Sequence, residues 1–139
     1  MIYFIDTNIF LRVLVNENQT FHDQCELLLD KIKQNKIKAI TGTVVLTEVL
    51  WTLLSYYKTS KIKAVSSVEG ILNLRGLKIM DYYDHRMALE LYNSHNVKYI
   101  DCLIASIKGF DEHKTTVVSY DHDFDKLKIL RVEPVSLIN

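Results

Sequence analysis

Short apolar runs of strand length alternate along this chain with longer segments in which apolar residues recur every three or four positions. The runs are rich in β-branched and aromatic residues and are bounded by polar ones, which is typical of buried strands. They predict five strands, over residues 2–5, 38–40, 77–80, 115–119 and 130–132. Pro134 closely follows the last run, which favours an edge position for that strand.

The periodic segments between these runs predict amphipathic helices. They cover residues 7–15, 21–33, 44–58, 61–73, 85–95 and 101–109, with a short turn or helix over 121–127. Thr41 or Thr43 is expected to cap the third helix, Asp84 to cap the fifth, and Gly109 to end the sixth. The residues in phase on the core sides of the second and fourth helices are Leu27, Leu28 and Ile32, and Ile62, Val65, Val68 and Leu72.

Strands that alternate with helices indicate an α/β fold in which a parallel sheet is covered on both faces. The 139 residues fit a single domain, 1–139, with a core of its own. Ligands of such sheets bind outside the carboxyl ends of the strands. The residues that follow the predicted strands are therefore where a functional site is expected.

The composition limits the class of protein. Lys plus Arg and Asp plus Glu both number 17, and a net charge of zero argues against a surface that attracts nucleic acid everywhere. The lysine-rich segments 31–38 and 58–63 allow a local basic rim, although a solvated helix end or loop is the favoured interpretation. No apolar stretch can span a bilayer or serve as a signal peptide, so we expect a cytoplasmic protein without a membrane partner. Cys25 and Cys102 are expected to be buried, reduced thiols.

Four acidic residues stand among apolar neighbours. Asp6 and Asp121 each follow a predicted buried strand, and Glu48 and Asp101 lie in apolar segments. A carboxylate in such surroundings is unfavourable unless it is paired or bound to a metal. Asp6 and Asp121 are expected at the same edge of the sheet, and the other two acids must face that edge from helices if the four form one site.

Oxygen ligands without clustered His or Cys point to Mg²⁺ or Mn²⁺. A pair of such ions about 4 Å apart can activate a water and stabilise the leaving oxygen of a phosphodiester, so phosphodiester hydrolysis best fits these acids. If the fold brings the four acids together, the catalytic and metal-binding residues are Asp6, Glu48, Asp101 and Asp121. The predicted supporting residues are Thr7, Asn8 and Ser119, with Asp123 as an auxiliary carboxylate.

Each of these features alone has a plainer interpretation. Asp6 and the two residues after it also fit a helix N-terminus, Glu48 fits a buried ion pair, and Asp101 fits a helix cap. A strand ending in Asp also opens phosphatases with an aspartyl nucleophile, but those need a second Asp where this chain has Asn8. Residues 121–125 lack the Gly and the distant Glu of an EF-hand calcium loop.

Taken together and in order, the acidic motifs resemble those of PIN-domain ribonucleases, and most closely those of VapC-type toxins of type II toxin–antitoxin systems. The motifs are Ile5-Asp6-Thr7-Asn8, Thr47-Glu48-Val49, Tyr99-Ile100-Asp101-Cys102-Leu103-Ile104-Ala105 and Ser119-Tyr120-Asp121-His122-Asp123-Phe124. Each motif is short, but their joint order and spacing are specific and extend over essentially the whole chain.

The resemblance implies a three-layer α/β/α sandwich around a parallel sheet of four to five strands. It implies Mg²⁺- or Mn²⁺-dependent cleavage of RNA, a homodimer, and inhibition by a cognate antitoxin that inserts into or beside the site. PIN proteins of ribosomal RNA processing have similar acids without an antitoxin. The same acids would also suit a module that only holds a structural ion or a basic partner, or a 5′-nuclease or phosphatase.

Some aromatic and histidine residues have weaker functional interpretations. Trp51, Tyr56 and Tyr57 stand at helical spacing, which favours core or dimer contacts over a platform for stacking RNA bases. Among the five scattered histidines, His122 is the best candidate for a catalytic role because it neighbours Asp121.

Overall fold

The computed structural model describes residues 1–110 and 112–139, and a sheet of five parallel strands forms its centre. The strands are β1 Ile2–Ile5, β2 Ala39–Thr41, β3 Leu77–Ile79, β4 Thr115–Val118 and β5 Arg131–Val132. Their order in the sheet is β3-β2-β1-β4-β5, so the chain builds outward from β1 on one side and then crosses to the other. The predicted α/β class with a central parallel sheet is confirmed.

Helices flank the sheet and complete the three-layer sandwich. They are α1 Thr7–Leu14, α2 Gln19–Lys33, α3 Thr43–Ser55, α4 Lys61–Leu72, α5 His85–Ser94, α6 Tyr99–Ala105, α7 Asp123–Lys126 and α8 Val135–Ile138. Helix α1 packs against α2 and α3, α3 packs against α4, and α5 packs against α6. In the two described segments, no helix combines the length and the apolar character needed to cross a membrane.

The two central strands, β1 and β4, contribute fully buried residues to the core. Phe4, Ile5, Val117 and Val118 are fully buried, as expected for strands covered on both faces. Ile5 pairs with Val118, so β1 and β4 end side by side. Cys25 and Cys102 are also buried, and neither forms a disulfide.

Helix α6 begins and ends earlier than predicted. Lys98 is its N-cap residue, so Asp101 lies within the first turn instead of starting the helix. The helix ends at Ala105, because Ile107 pairs with Tyr83 in an antiparallel bridge that leads the chain away. Gly109, the predicted end, has a φ of 114° and instead permits a turn further along.

Helix α3 is also capped differently. Gly42 is its N-cap residue, the Thr41 hydroxyl donates to the carbonyl of Ile5 at 2.8 Å, and Thr43 is the first helical residue. The carboxylate of Asp81, beyond β3, instead accepts the backbone N–H of Thr43 at 2.7 Å and its hydroxyl at 2.6 Å. The predicted cap of α5 is present, since Asp84 accepts the N–H of Met87 at 3.0 Å. Helix α8 was not predicted.

The apolar faces predicted for α2 and α4 are wrong in part. Helix α4 buries Ala64 and Ile71, whereas Ile62 of the predicted face is 84% exposed. Helix α4 carries two overlapping apolar sets, and the buried set contains the small Ala64, which is fully buried. The other exposed members of the predicted faces are Leu27, Val65 and Leu72. Of the core or dimer contacts predicted for Trp51 and Tyr56, the core contact is excluded, because both side chains are exposed.

Candidate functional site

The four predicted acids approach the carboxyl edge of the sheet at its topological switch point. The switch lies between β1 and β4, where the order of the strands reverses, and open α/β sheets bind ligands there. Asp6 directly follows β1, and Asp121 comes three residues after β4. Asp101 and Glu48 reach this edge from α6 and α3, since a carboxylate oxygen of Asp101 lies within 4.8 Å of one of Asp121 and Glu48 accepts a hydrogen bond from Thr7.

Asp6 is held in place by hydrogen bonds from one side chain that follows β4 and from one on α1. It is 5% exposed, and its Oδ2 accepts hydrogen bonds from Ser119 Oγ at 2.6 Å and from Asn8 Nδ2 at 3.0 Å. Burial raises the pKa of Asp6 to about 6, although the Ser119 hydrogen bond opposes this. Ser119 and Asn8 thus hold a carboxylate that binds its proton more tightly than usual.

The same two residues position Asp121. The Asp121 N–H donates to Ser119 Oγ at 2.9 Å, and the Tyr120 N–H donates to Asn8 Oδ1 at 3.2 Å. Asp121 in turn accepts the N–H of Asp123 at 2.9 Å through its Oδ1. These bonds fix the turn after β4 relative to β1.

Glu48 is held by a different residue. Thr7 Oγ1 donates to Glu48 Oε2 at 3.2 Å, so the Thr7 side chain contacts Glu48 and not the neighbouring Asp6. Val45 and Val49 of α3 are fully buried, and their burial turns this side of the helix toward the core. Glu48 lies beside that face, with a side chain that is 25% exposed.

Asp101 lacks partners for part of its carboxylate. The residue is 2% exposed, and its buried Oδ2 accepts no hydrogen bond from any residue that the structure describes. Its pKa is raised to about 7, mainly by burial and in addition by the negative charges of Asp6, Asp121 and Glu48, against the opposing charge of Lys98. A buried carboxylate oxygen without a donor is unfavourable and calls for a ligand.

Asp101, Asp121 and Asp123 form a group of oxygens suited to a cation. One carboxylate oxygen from each residue lies within 4.8 Å of the others. Hard oxygen donors and the unpartnered oxygen of Asp101 fit a divalent cation such as Mg²⁺ or Mn²⁺. Asp123, predicted as an auxiliary carboxylate, is thus one of the three residues of this group.

Lys98 belongs to the site, although its sequence context did not predict this. Its Nζ lies 3.7 Å from Glu48 Oε1 and 3.6 Å from Asp121 Oδ2. Burial lowers the pKa of Lys98, but the surrounding carboxylates, Asp101 first, outweigh burial and raise it. Its position three residues before Asp101 is the one signal in the sequence, and it does not show where the side chain points.

The chain belongs to the PIN domain family, whose model matches residues 3–130. Among curated proteins, no sequence matches it at a significant level.

The fold is that of solved VapC-type structures. A chain of VapBC2 from Rickettsia felis, bound to a DNA fragment from their promoter, matches with a TM-score of 0.66 and 21% identity over 96% of this chain and 98% of that one. A chain of DNA-bound VapBC from Salmonella typhimurium matches at 0.64 and 16%, over 96% and 97%. VapC20 from Mycobacterium tuberculosis, a sarcin-ricin loop cleaving toxin, matches at 0.63 and 12%, over 94% and 98%. The predicted resemblance to VapC-type PIN domains is confirmed at the level of the fold.

Proposed function

We propose that this protein is an endoribonuclease that hydrolyses RNA phosphodiester bonds with the help of Mg²⁺ or Mn²⁺. The observation that carries the proposal is the Asp101 carboxylate: its buried Oδ2 has no donor among the described residues, and one of its oxygens lies within 4.8 Å of oxygens of Asp121 and Asp123. The proposed metal-binding and catalytic residues are Asp6, Glu48, Asp101 and Asp121, with Asp123 as an additional ligand. Membership of the PIN domain family supports the reaction class.

The residues of the site divide the work of holding the ion. Asp101 offers an oxygen that the protein leaves unbonded, and Asp121 is fixed by its bond to Ser119. Ser119 donates to Oδ2 of Asp6, so the other carboxylate oxygen, Oδ1, takes no part in that bond. A bound divalent ion supplies a water activated for attack and stabilises the leaving oxygen of the phosphodiester. Asp6 and Asp101 must give up their protons before they can act as ligands.

The test is cleavage of RNA by the purified protein with Mn²⁺ or Mg²⁺. We expect cleavage by the wild type, its loss in EDTA, and its loss in Asp6→Asn and Asp101→Asn. Asp30→Asn, an exposed aspartate paired with Lys33 on α2, is the control for a lost surface charge. Cleavage that survives EDTA, or that both site variants retain, would remove the proposed role of these acids.

We further propose that the protein acts as the toxin of a toxin–antitoxin pair, in the cytoplasm and as a homodimer. The fold match to two complexes named VapBC supports a protein partner. An apolar groove of about 280 Å³ between α1, α2 and α4, with Phe10, Leu14 and Ile71 among its lining residues, offers a surface for such a partner. Exposed Trp51 and Tyr56 near the end of α3 are suited to contacts with a second copy.

Each competing function predicts a different result. A small neighbouring reading frame for a DNA-binding protein that copurifies with this chain supports the toxin role. An RNA-processing nuclease would cleave RNA with no such partner. A non-catalytic module would gain thermal stability from the metal but cleave no substrate. A panel of phosphoesters separates the ribonuclease from a 5′-nuclease or phosphatase.

A further inference from the structure

Lys98 places a positive charge among the acids of the site from within the chain. It is the N-cap residue of α6, and its backbone is fixed where the helix begins. Its ammonium lies 3.7 Å from Glu48 on α3 and 3.6 Å from Asp121 after β4. It therefore connects two elements that are distant in the sequence and that both supply proposed metal ligands.

The distances show that the ammonium is shared and not committed to one acid. A charge-assisted hydrogen bond between nitrogen and a carboxylate measures about 2.7–2.9 Å, and both contacts of Lys98 are longer. The Lys98 side chain is also 57% exposed, which leaves it a route to solvent. Its hold on the site is electrostatic and reversible.

Arg131 shows what a fixed cation looks like in the same protein. Its side chain is 10% exposed, and it donates to Asp125 at 3.0 Å and to the carbonyl of Ser119 at 2.9 Å. Arg131 is built into the structure by these bonds. Lys98 carries the same charge, but its contacts with Glu48 and Asp121 are longer, at 3.7 and 3.6 Å.

A divalent cation and the ammonium of Lys98 need the same oxygens. Glu48 and Asp121, which Lys98 contacts, are both among the proposed ligands, and the charges of Asp6 and Asp101 act on Lys98 as well. An ammonium and a divalent cation that share these oxygens would repel each other even in water. Metal binding therefore favours a Lys98 side chain turned outward.

We propose that Lys98 is an internal counter-cation that holds Glu48 and Asp121 in place in the metal-free protein and competes with the divalent cation for them. The inference rests on the proposed metal-dependent function of the same site. Its consequence is that Lys98 weakens metal binding and so sets the metal concentration at which the site fills. It is a positioning residue, since it acts through the acids.

The test is Mn²⁺ binding measured by isothermal titration calorimetry, together with the melting temperature of the metal-free protein. For Lys98→Met we expect Mn²⁺ affinity to rise about 10-fold, because the repulsion is removed. The melting temperature without metal falls, because the acids lose their counter-charge. Lys98→Arg keeps both values close to wild type, since it retains the charge.

Lys33→Met is the matched control. Lys33 is 51% exposed and pairs with Asp30 at 3.0 Å on α2, so its loss removes a similar surface cation away from the site. Unchanged or weaker Mn²⁺ binding in Lys98→Met would overturn the inference, as would equal tightening in Lys33→Met. A wild type that binds no Mn²⁺ would overturn the proposed function and this inference together, whereas binding that ignores Lys98 overturns the inference alone.

Discussion

Two aspartates follow parallel strands of the same sheet and have opposite surroundings. Asp6, after β1, is buried, and burial raises its pKa to about 6. Asp81, after β3, is exposed, and bonds from Thr43 and Tyr83 lower its pKa although partial burial opposes them. A position at a strand end does not by itself make a carboxylate part of a site.

The β3 side of the sheet and the β1 and β4 side differ more sharply in the number of hydrogen-bond donors that their carboxylates receive. Asp81 accepts the N–H and hydroxyl of Thr43 and the hydroxyl of Tyr83, at 2.6 to 2.8 Å. Asp101 has a buried oxygen that receives no hydrogen bond within the described part of the chain. The β3 side of the sheet uses its carboxylate to fasten α3, which carries Glu48. The β1 and β4 side keeps its carboxylates available for a ligand, at the expense of stability in the metal-free protein.

The largest difference is expected in RNA cleavage. Asp101→Asn should lower the rate by about 10²-fold or more, because loss of a metal ligand removes several kcal/mol of transition-state stabilisation. Asp81→Ala should retain cleavage within about 10-fold, since Asp81 acts only by fastening α3. Single-turnover cleavage at saturating Mn²⁺ measures both, with circular dichroism to check folding. Equal losses in the two variants would abolish the distinction between the two regions.

The second expectation concerns the residue that joins Asp6 to Asp121. Ser119→Ala removes the bonds to both, and metal affinity should fall about 10- to 100-fold, as when supporting residues of metal ligands are lost. Ser106→Ala is the matched control, because Ser106 is also a buried serine but donates to the carbonyl of Leu103 at 2.7 Å. Mn²⁺ titration of both variants shows whether metal affinity depends on the Ser119 hydroxyl itself or falls with the loss of any buried serine hydroxyl.

The sheet and two acids of the site were predictable because they depend on local patterns. Strand-length apolar runs gave β1 and β4, and parallel order then placed Asp6 and Asp121 at one edge. The positions of Glu48 and Asp101 depend on how α3 and α6 pack, which periodicity does not fix. Their inclusion rested on the resemblance to a family.

Contacts between residues that are far apart in the sequence could not be predicted from local patterns. Asp81 meets Thr43 across 38 positions, and this contact displaced the local cap expected from Thr41 or Thr43. The face of α4 was mistaken for the same reason, since the side of this helix that is buried depends on its packing against other elements of the fold. Lys98 was missed because an exposed lysine shows its partners only in three dimensions.

A smaller effect is expected on stability from the β3 side. Asp81→Ala should lower the free energy of unfolding by about 1–2 kcal/mol, the range measured for lost helix caps. Asp84→Ala should cost less, because Asp84 gives α5 the single cap bond to Met87. Urea denaturation of the metal-free variants measures both values. A larger loss for Asp84→Ala would show that the contacts of Asp81 do not stabilise the start of α3.

The smallest effect is a pH dependence with opposite signs in the two regions. The pKa values of Asp6 and Asp101 rise from 3.8 to about 6 and about 7, so the folded protein binds protons more tightly than the unfolded chain between about pH 4 and 7. The metal-free melting temperature should therefore rise by a few degrees as the pH falls from 8 to 5, and less so in Asp101→Asn.

Below this window the lowered pKa of Asp81 acts in the other direction, because its protonation weakens the bonds that fasten α3. With Mn²⁺ present, the stabilisation by the metal should shrink from pH 8 to 5, since protons compete for the ligands. Scanning calorimetry at several pH values, with Mn²⁺ or EDTA, measures both trends. A metal-free melting temperature that falls steadily from pH 8 to 5 would show that the pKa values of Asp6 and Asp101 are not raised in the folded protein.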